Sequence, residues 1–195
     1  RTRTLSPSLR FGAGRATAAL DWIIEHHRPA HVIHLGFAGA LDPDLAVAQM
    51  PAIEQVMTPT GDRTDVSPHD RERAQVTLLT LDRIAESPDD KRRLFESHGA
   101  ALVDMESFHV AQRAAGHDVR YTPLRAVSDT ADMVLPAEAV NWVNADGTPN
   151  IAAAMKHVMF RPKMMRTLMT LQDHAKSAAA ALADRVETML ADRST

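Results

Sequence analysis

The 195-residue sequence contains no cysteine, which excludes disulfide bonds and thiol catalysis and is typical of a protein from a reducing compartment. No apolar run approaches the roughly 18–20 residues that a membrane-spanning helix needs. The charged N-terminus has no apolar stretch behind it, so it does not resemble a secretory signal. Net charge is only −3, which gives no electrostatic footprint for nucleic acid. These absences predict a cytoplasmic protein without a membrane span or a nucleic-acid partner.

The composition that remains is that of one globular domain. The apolar fraction is 45% and the charged fraction 24%, and both values are ordinary for a folded protein. The length suits a single core, and no internal repeat or linker divides the chain. We therefore expect one domain over residues 1–195.

Hydrophobic periodicity predicts strands alternating with helices of about ten residues. A strand at 31–35 should end in a small-residue turn at 36–40. The predicted helices cover 14–28, 88–97, 107–115 and a long segment from Met164, and the other strands cover 53–57, 76–81, 100–105 and 121–128. This alternation favours an α/β fold with a parallel or mixed sheet.

Two acidic motifs follow predicted strands and carry the strongest signal for chemistry. Val-Asp-Met-Glu-Ser occupies 103–107, and Ser-Asp-Thr-Ala-Asp occupies 128–132. Taken singly, Asp104 or Asp129 is best explained as a helix cap. Two such motifs on successive strands favour a ligand site at the strand ends, where α/β sheets bind their ligands.

The ordered segments 36–41, 103–107 and 125–132 resemble the signature of the superfamily of purine nucleoside phosphorylases and methylthioadenosine/adenosylhomocysteine nucleosidases. Segments 78–83 and 135–147 are similar to a narrower branch, the hopanoid-associated phosphorylases that act on adenosylhopane. The resemblance implies a three-layer fold with a mixed sheet between helices. It also implies that one or more N-terminal strands of the fold lie outside this sequence, which begins at Arg1 rather than at a Met.

The resemblance implies cleavage of a ribosyl–purine bond by a pair of carboxylates. Asp129 matches the acid that protonates the purine at N7, and a desolvated pocket would favour its protonated form. Glu106 matches the carboxylate that binds the ribose hydroxyls and stabilises a cationic transition state. Arg125 is expected to be the structural partner of a carboxylate. The substrate-binding positions implied by the resemblance are Met105, Asp104, Ser128, Ala38, Gly39 and Ile84.

The hydrolytic base of the family's nucleosidases has no counterpart, because no Asp or Glu precedes Asp21 and Asp21 falls within a predicted helix. Phosphorolysis is therefore favoured, with phosphate as co-substrate and no cofactor. Phosphate is expected at Arg10, Arg15 and Gly36, although ordinary solvated surface explains the arginines equally well. Phe37 departs from the family pattern, in which a small polar residue is common.

Two interpretations of the whole chain stay open. The first is a nucleoside-cleaving enzyme, and the second is a catalytically silent relative that retains the purine pocket as a binding module or oligomer subunit. The intact acidic motifs favour the enzyme, and a homo-oligomer is expected in both cases. Although His26, His27, His31 and His34 cluster in sequence, they lack ligand spacing, so no metal is expected.

A methionine-rich segment precedes and overlaps the last helix. Flexible methionines fill irregular gaps in a core, and this is the favoured interpretation. The alternative is an apolar wall for a nucleoside with a large 5′ substituent, reached from a membrane surface. The residues concerned are Met155, Met159, Met164, Met165 and Met169.

Overall fold

The computed structural model describes residues 13–72, 74–135 and 162–191, with only the backbone described for 162–168. The helices are α1 (Ala13–His27), α2 (Pro88–His98), α3 (Ser107–Ala115) and α4 (Pro162–Ala191), and the strands are β1 (His31–Ala40), β2 (Ala52–Met57), β3 (Arg63–Asp65), β4 (Gln75–Thr80), β5 (Leu102–Asp104) and β6 (Arg120–Asp129). Across these three described stretches, no helix is both long and apolar enough to cross a bilayer.

The six strands form one mixed sheet in the order β3-β2-β4-β5-β1-β6. Strands β2, β4 and β5 run parallel to one another, and β3 is antiparallel to β2. Strand β1 is antiparallel to β5 on one side and parallel to β6 on the other. The predicted α/β fold with a mixed sheet is therefore confirmed.

Helices cover both faces of this sheet, which gives three layers. Helices α1 and α3 bury one face over a cluster that includes Leu20, Phe108 and Val127. On the opposite face, Leu94 and Phe95 of α2 pack on a second cluster. Helix α4 covers the far end of that opposite face, over the third cluster.

The turn predicted at 36–40 is wrong, because β1 continues to Ala40. Each residue from His31 to Gly39 pairs with β6, so the backbone groups of the small residues are used in the ladder rather than in a turn. Strand β3 was not predicted, since Arg63-Thr64-Asp65 is short and polar and forms only through its pairing with β2.

The apolar face of α4 forms as predicted, since Ala178 and Leu182 are buried against β6. The methionines are a different case. Met169 is 61% exposed, so the prediction that it lies in the core is wrong. The side chains of Met164 and Met165 are not described, and Met155 and Met159 lie outside the described residues.

Candidate active site

The three segments that carry the sequence signature meet at Gly39 of β1. Gly39 pairs with Val103 of β5 on one side and with Asp129 of β6 on the other. A Cβ atom on Gly39 would stand 2.8 Å from Oδ2 of Asp129 and 3.2 Å from Cγ1 of Val103. Both acidic motifs therefore flank one residue, and that residue has to be glycine because neighbouring side chains occupy the space of a Cβ.

A β-bulge in β6 determines the face on which Asp129 lies. Ala38 pairs with Val127 and Gly39 pairs with Asp129, so Ser128 is an extra residue. In a regular strand of the same length, alternation would place Asp129 on the same face as Arg125, under α1 and α3. The bulge instead directs Asp129 to the opposite face, beside Gly39.

The sequence analysis predicted that the two motifs lie at a common edge of parallel strands, and this prediction is wrong. Strand β5 runs antiparallel to β1, so its carboxyl end points away from that of β6. The chain after β5 passes back along β1, and Glu106 contacts His34, five residues before Gly39. The two motifs consequently reach β1 at different positions, Asp129 at Gly39 and Glu106 at His34.

Asp129 is 5% exposed and holds two hydrogen bonds from side chains. Its Oδ2 accepts from Nζ of Lys91 at 2.6 Å, and its Oδ1 accepts from the hydroxyl of Ser128 at 2.8 Å. Lys91 was missed because Asp89-Asp90-Lys91-Arg92-Arg93 reads as a solvated helix surface. A signal was present nonetheless: Lys91 is three and four residues before Leu94 and Phe95, which places it on the apolar face of α2.

Asp104 lies in a buried network with Arg125. Arg125 donates from Nε to Asp104 at 3.1 Å, from Nη2 to the hydroxyl of Ser107 at 2.9 Å, and from Nη1 to the carbonyl oxygen of His34 at 2.8 Å. Asp104 also accepts from the hydroxyls of Thr80 and Ser107. The predicted pairing of Arg125 with a carboxylate is confirmed, and Asp104 is that carboxylate.

His34 connects this network to Glu106. Its Nδ1 lies 3.1 Å from Nη2 of Arg125, and a guanidinium can only donate, so Nδ1 must be the acceptor. The ring proton is then on Nε2, which lies 3.3 Å from Oε2 of Glu106. Burial raises the pKa of Tyr121, so its hydroxyl, 2.9 Å from Nδ1, stays protonated and is also able to donate. His34 therefore fixes one oxygen of Glu106.

An open strip on β1 adjoins Asp129. Leu35 and Phe37 lie on the same face as Gly39 and are 46% and 44% exposed. Their partners in β6, Leu124 and Ala126, are buried under α4. We use "open strip" for Leu35 and Phe37, which are uncovered although the sheet on either side is packed beneath α2 and α4.

Comparison with known proteins gives one family match. Residues 69–159, slightly less than half of the chain, match the sequence model of the phosphorylase superfamily, and this segment includes β4, α2, β5, α3 and β6. No curated protein matches the chain in sequence.

Several solved structures share the fold at low identity. The 5′-methylthioadenosine/S-adenosylhomocysteine nucleosidase of Helicobacter pylori is 18% identical, with a TM-score of 0.61, and the match covers 91% of this chain and 77% of that one. The futalosine hydrolase of the same organism is 18% identical, with a TM-score of 0.56 and coverage of 84% and 76%. A Weissella paramesenteroides protein described as a methylthioadenosine nucleosidase is 21% identical, with a TM-score of 0.55, and the match covers 62% of this chain and 66% of that one, just under two thirds of its length.

The remaining predicted positions lie in different surroundings. The side chain of Ala38 is buried in the cluster beneath α1 and α3, away from the open strip. Met105 and Ile84 are half-buried, and the carbonyl oxygen of Ile84 accepts from Arg83. For the predicted phosphate site, Arg15 is exposed on the first turn of α1, and Arg10 lies outside the described residues. Gly36 faces Arg125, whose guanidinium is occupied by protein groups.

Within the described stretches, the chain has no group of three or more histidine or acidic side chains placed to hold a metal ion. His31 instead contacts the hydroxyl of Thr122 at 2.9 Å, and His26 contacts the carbonyl oxygen of Trp22.

Replacing Arg125 by leucine should lower the free energy of unfolding by about 3–5 kcal/mol, because Asp104 would stay buried without its charged partner. Urea denaturation measures this loss. The matched control is Arg93→Leu, whose exposed guanidinium makes a 3.4 Å contact with Asp90. It should change stability by about 0–1 kcal/mol. Similar small losses in both variants would contradict the structural role of Arg125.

Gly39→Ala should destabilise the fold by about 1–3 kcal/mol, because the new methyl group collides with Asp129 and Val103. Gly116→Ala is the control, since Gly116 has a helical φ of −63° and its nearest contact to an added Cβ is 3.5 Å. Thermal unfolding of both variants makes the comparison. If Gly39→Ala were as stable as Gly116→Ala, the side chains around Asp129 would have to adjust to the added methyl group without a loss of stability.

Proposed function

We propose that the chain cleaves the N-glycosidic bond of a purine nucleoside, with Asp129 acting on the base and Glu106 holding the ribose. The observation that carries this proposal is the bulge at Ser128, which directs a buried carboxylate to the open strip of β1. Bulges recur next to active sites, where they re-aim a side chain. The fold shared with nucleosidases supports the same reaction class.

Asp129 suits the base side of the bond. When a ribosyl–purine bond breaks, negative charge develops on the purine and positive charge on the sugar. A buried acid at the purine N7 removes the negative charge at the moment it forms. The hydroxyl of Ser128 holds the other carboxylate oxygen, which fixes the direction in which Asp129 points.

Glu106 suits the sugar side. Its side chain is half-buried and lies along β1, displaced from Asp129 toward the beginning of the strand. A carboxylate beside the sugar accepts hydrogen bonds from ribose hydroxyls and stabilises the cationic transition state. The 3.3 Å contact with Nε2 of His34 orients Glu106 before substrate arrives.

Phosphorolysis is favoured over hydrolysis in this proposal, with phosphate as the second substrate. Asp21 is held by Arg113 across the contact of α1 with α3, with Nη2 and Oδ2 2.7 Å apart. That carboxylate is therefore engaged on the far side of the sheet from Asp129 and is badly placed to activate water.

The open strip also suggests which substituent the sugar carries. Leu35 and Phe37 offer an apolar floor, and an apolar 5′ group would cover it. A lipid-linked nucleoside of the adenosylhopane type belongs to this class, and so does a smaller thioether. An exposed Met169 is compatible with a wall for such a group.

Adenine should be released from adenosine-type nucleosides only when phosphate is present, because this proposal provides no group that activates water. Chromatography of incubations with and without phosphate measures release. Asp129→Asn should lower turnover by roughly 10²–10⁴-fold, the usual contribution of a positioned acid. Asp118→Asn is the control, since Asp118 is exposed on the turn after α3.

The possible outcomes separate the alternatives. Release without phosphate would contradict the phosphorolytic assignment. Adenine binding with no release from any nucleoside would identify a silent binding module. An Asp129→Asn protein as active as Asp118→Asn would remove Asp129 from the mechanism.

Glu106→Gln should weaken nucleoside binding at least roughly tenfold while leaving affinity for free adenine nearly unchanged, because only the ribose contacts are altered. Calorimetric titration with adenosine and with adenine gives both affinities. Equal losses for base and nucleoside would indicate that Glu106 supports the site through His34 and does not touch the sugar.

A further inference from the structure

Lys91 is a buried cation that neither the sequence motifs nor the proposed reaction uses. It lies on α2, is 0% exposed, and donates at 2.6 Å to both Oδ2 of Asp129 and the carbonyl oxygen of Thr130. An ammonium group is taken out of water only at a large desolvation cost unless it is paired. Asp129 supplies the pairing charge.

Few other charges act on Lys91. Asp132, in the turn after β6, is exposed, and its pKa is lowered mainly by a hydrogen bond from Thr130 and slightly by Lys91. On the helix itself, neighbouring Asp90 is taken up by Arg83 and Arg93. Asp129 pairs with this ammonium, and Asp132 interacts with it electrostatically.

Because Lys91 and Asp129 form this pair, the proposed reaction needs a source for the proton that the purine takes up. As found, Asp129 accepts hydrogen bonds at both oxygens, from Lys91 and from Ser128, so it is placed as a carboxylate with no proton to give. A purine leaving group needs a proton at N7. The nearest ionisable proton in the described site is on Nζ of Lys91.

We propose that Lys91 positions Asp129 and supplies the proton that Asp129 delivers to the leaving purine. The inference rests on the proposed function. As the glycosidic bond breaks, its electron pair stays on the purine, Asp129 transfers a proton to N7, and Lys91 transfers a proton to Asp129. Lys91 changes from an ammonium to an amine, and Asp129 is a carboxylate before and after the step. The purine therefore leaves as a neutral molecule. Water then returns a proton to the amine.

Lys91→Met is the deciding variant, because methionine fills the space without an ionisable group. Arg92→Met is the matched control: it removes one cation from the next position of α2, where the side chain is exposed and pairs with Asp89. We expect Lys91→Met to lower kcat by about 10²-fold with little change in KM, as a misplaced acid without its proton supply would. Arg92→Met should leave both constants unchanged.

The pH profile separates proton supply from packing. In the unaltered chain the proton is stored on the pair, so kcat should persist to alkaline pH. In Lys91→Met, Asp129 must take its own proton, and the alkaline limb of kcat should move down by about one to three pH units. If the alkaline limb did not move and Lys91→Met lowered kcat equally at every pH, the proposal would be overturned. Lys91 would then support the site only through packing.

A binding experiment decides the matter without turnover. The unaltered chain should bind adenine at least roughly tenfold more tightly than 7-deazaadenine, which lacks the N7 acceptor. Lys91→Met should lose this preference at alkaline pH, where the proton supply from Lys91 is needed. If Lys91→Met lost affinity for adenine and 7-deazaadenine equally, or kept its preference for adenine, the role assigned to Lys91 would be contradicted. A chain that binds adenine but cleaves no nucleoside would end the proposed function alone, and one that binds neither base would end both.

Lys91→Arg covers the case in which Lys91→Met does not fold. Arginine keeps a cation beside Asp129 but does not give up its proton. We expect this variant to keep its fold, shown by its far-ultraviolet dichroism, and to lose turnover. Turnover equal to that of the unaltered chain would overturn the proton supply.

Discussion

The backbone pairing of β1 constrains the rest of the candidate site. Because β1 has an antiparallel neighbour in β5 and a parallel neighbour in β6, Gly39 lies between Val103 and Asp129. The two acidic motifs are 25 residues apart in sequence, and this pairing brings them to the same strand. Side-chain contacts then refine an arrangement that the hydrogen-bond ladder has already set.

Two buried ion pairs lie on opposite faces of the sheet and differ in kind. Arg125 and Asp104 are surrounded by further donors and acceptors from Thr80, Ser107 and His34, so every charge has several partners. That degree of satisfaction is typical of a network that specifies structure. Lys91 and Asp129 have fewer partners and adjoin an open strip, which is the setting of ionisable groups that perform chemistry.

The sequence predicted the helices and most strands because their apolar periodicity matches the face that each buries. Helix α3, for example, was placed at its observed bounds, since Gly116 ends it and Phe108, Val110 and Ala114 face the core. The mixed sheet followed from the alternation of elements. The direction of β5 did not follow, because a strand of three residues contains no information about the orientation of its neighbours.

Residue roles were harder to predict than elements. The signature segments pointed to Asp129, Glu106 and Gly39, and the structure brings all three to β1. The signature could not indicate that His34 orients Glu106 or that Lys91 pairs with Asp129, since these partners are 72 and 38 residues away in sequence. Charged neighbours concealed Lys91, although its spacing from Leu94 and Phe95 marked it as buried.

The extra residue at Ser128 makes the pairing register after Val127, and not only residue identity, a determinant of this site. If the ladder ran regularly through a chain of the same length, Ser128 would pair with Gly39, and Asp129 would turn to the face packed by α1 and α3, away from Lys91. All side chains of the site would then be retained and the site would still be lost. A change that straightens the bulge therefore affects the site as directly as a replacement of Asp129 does.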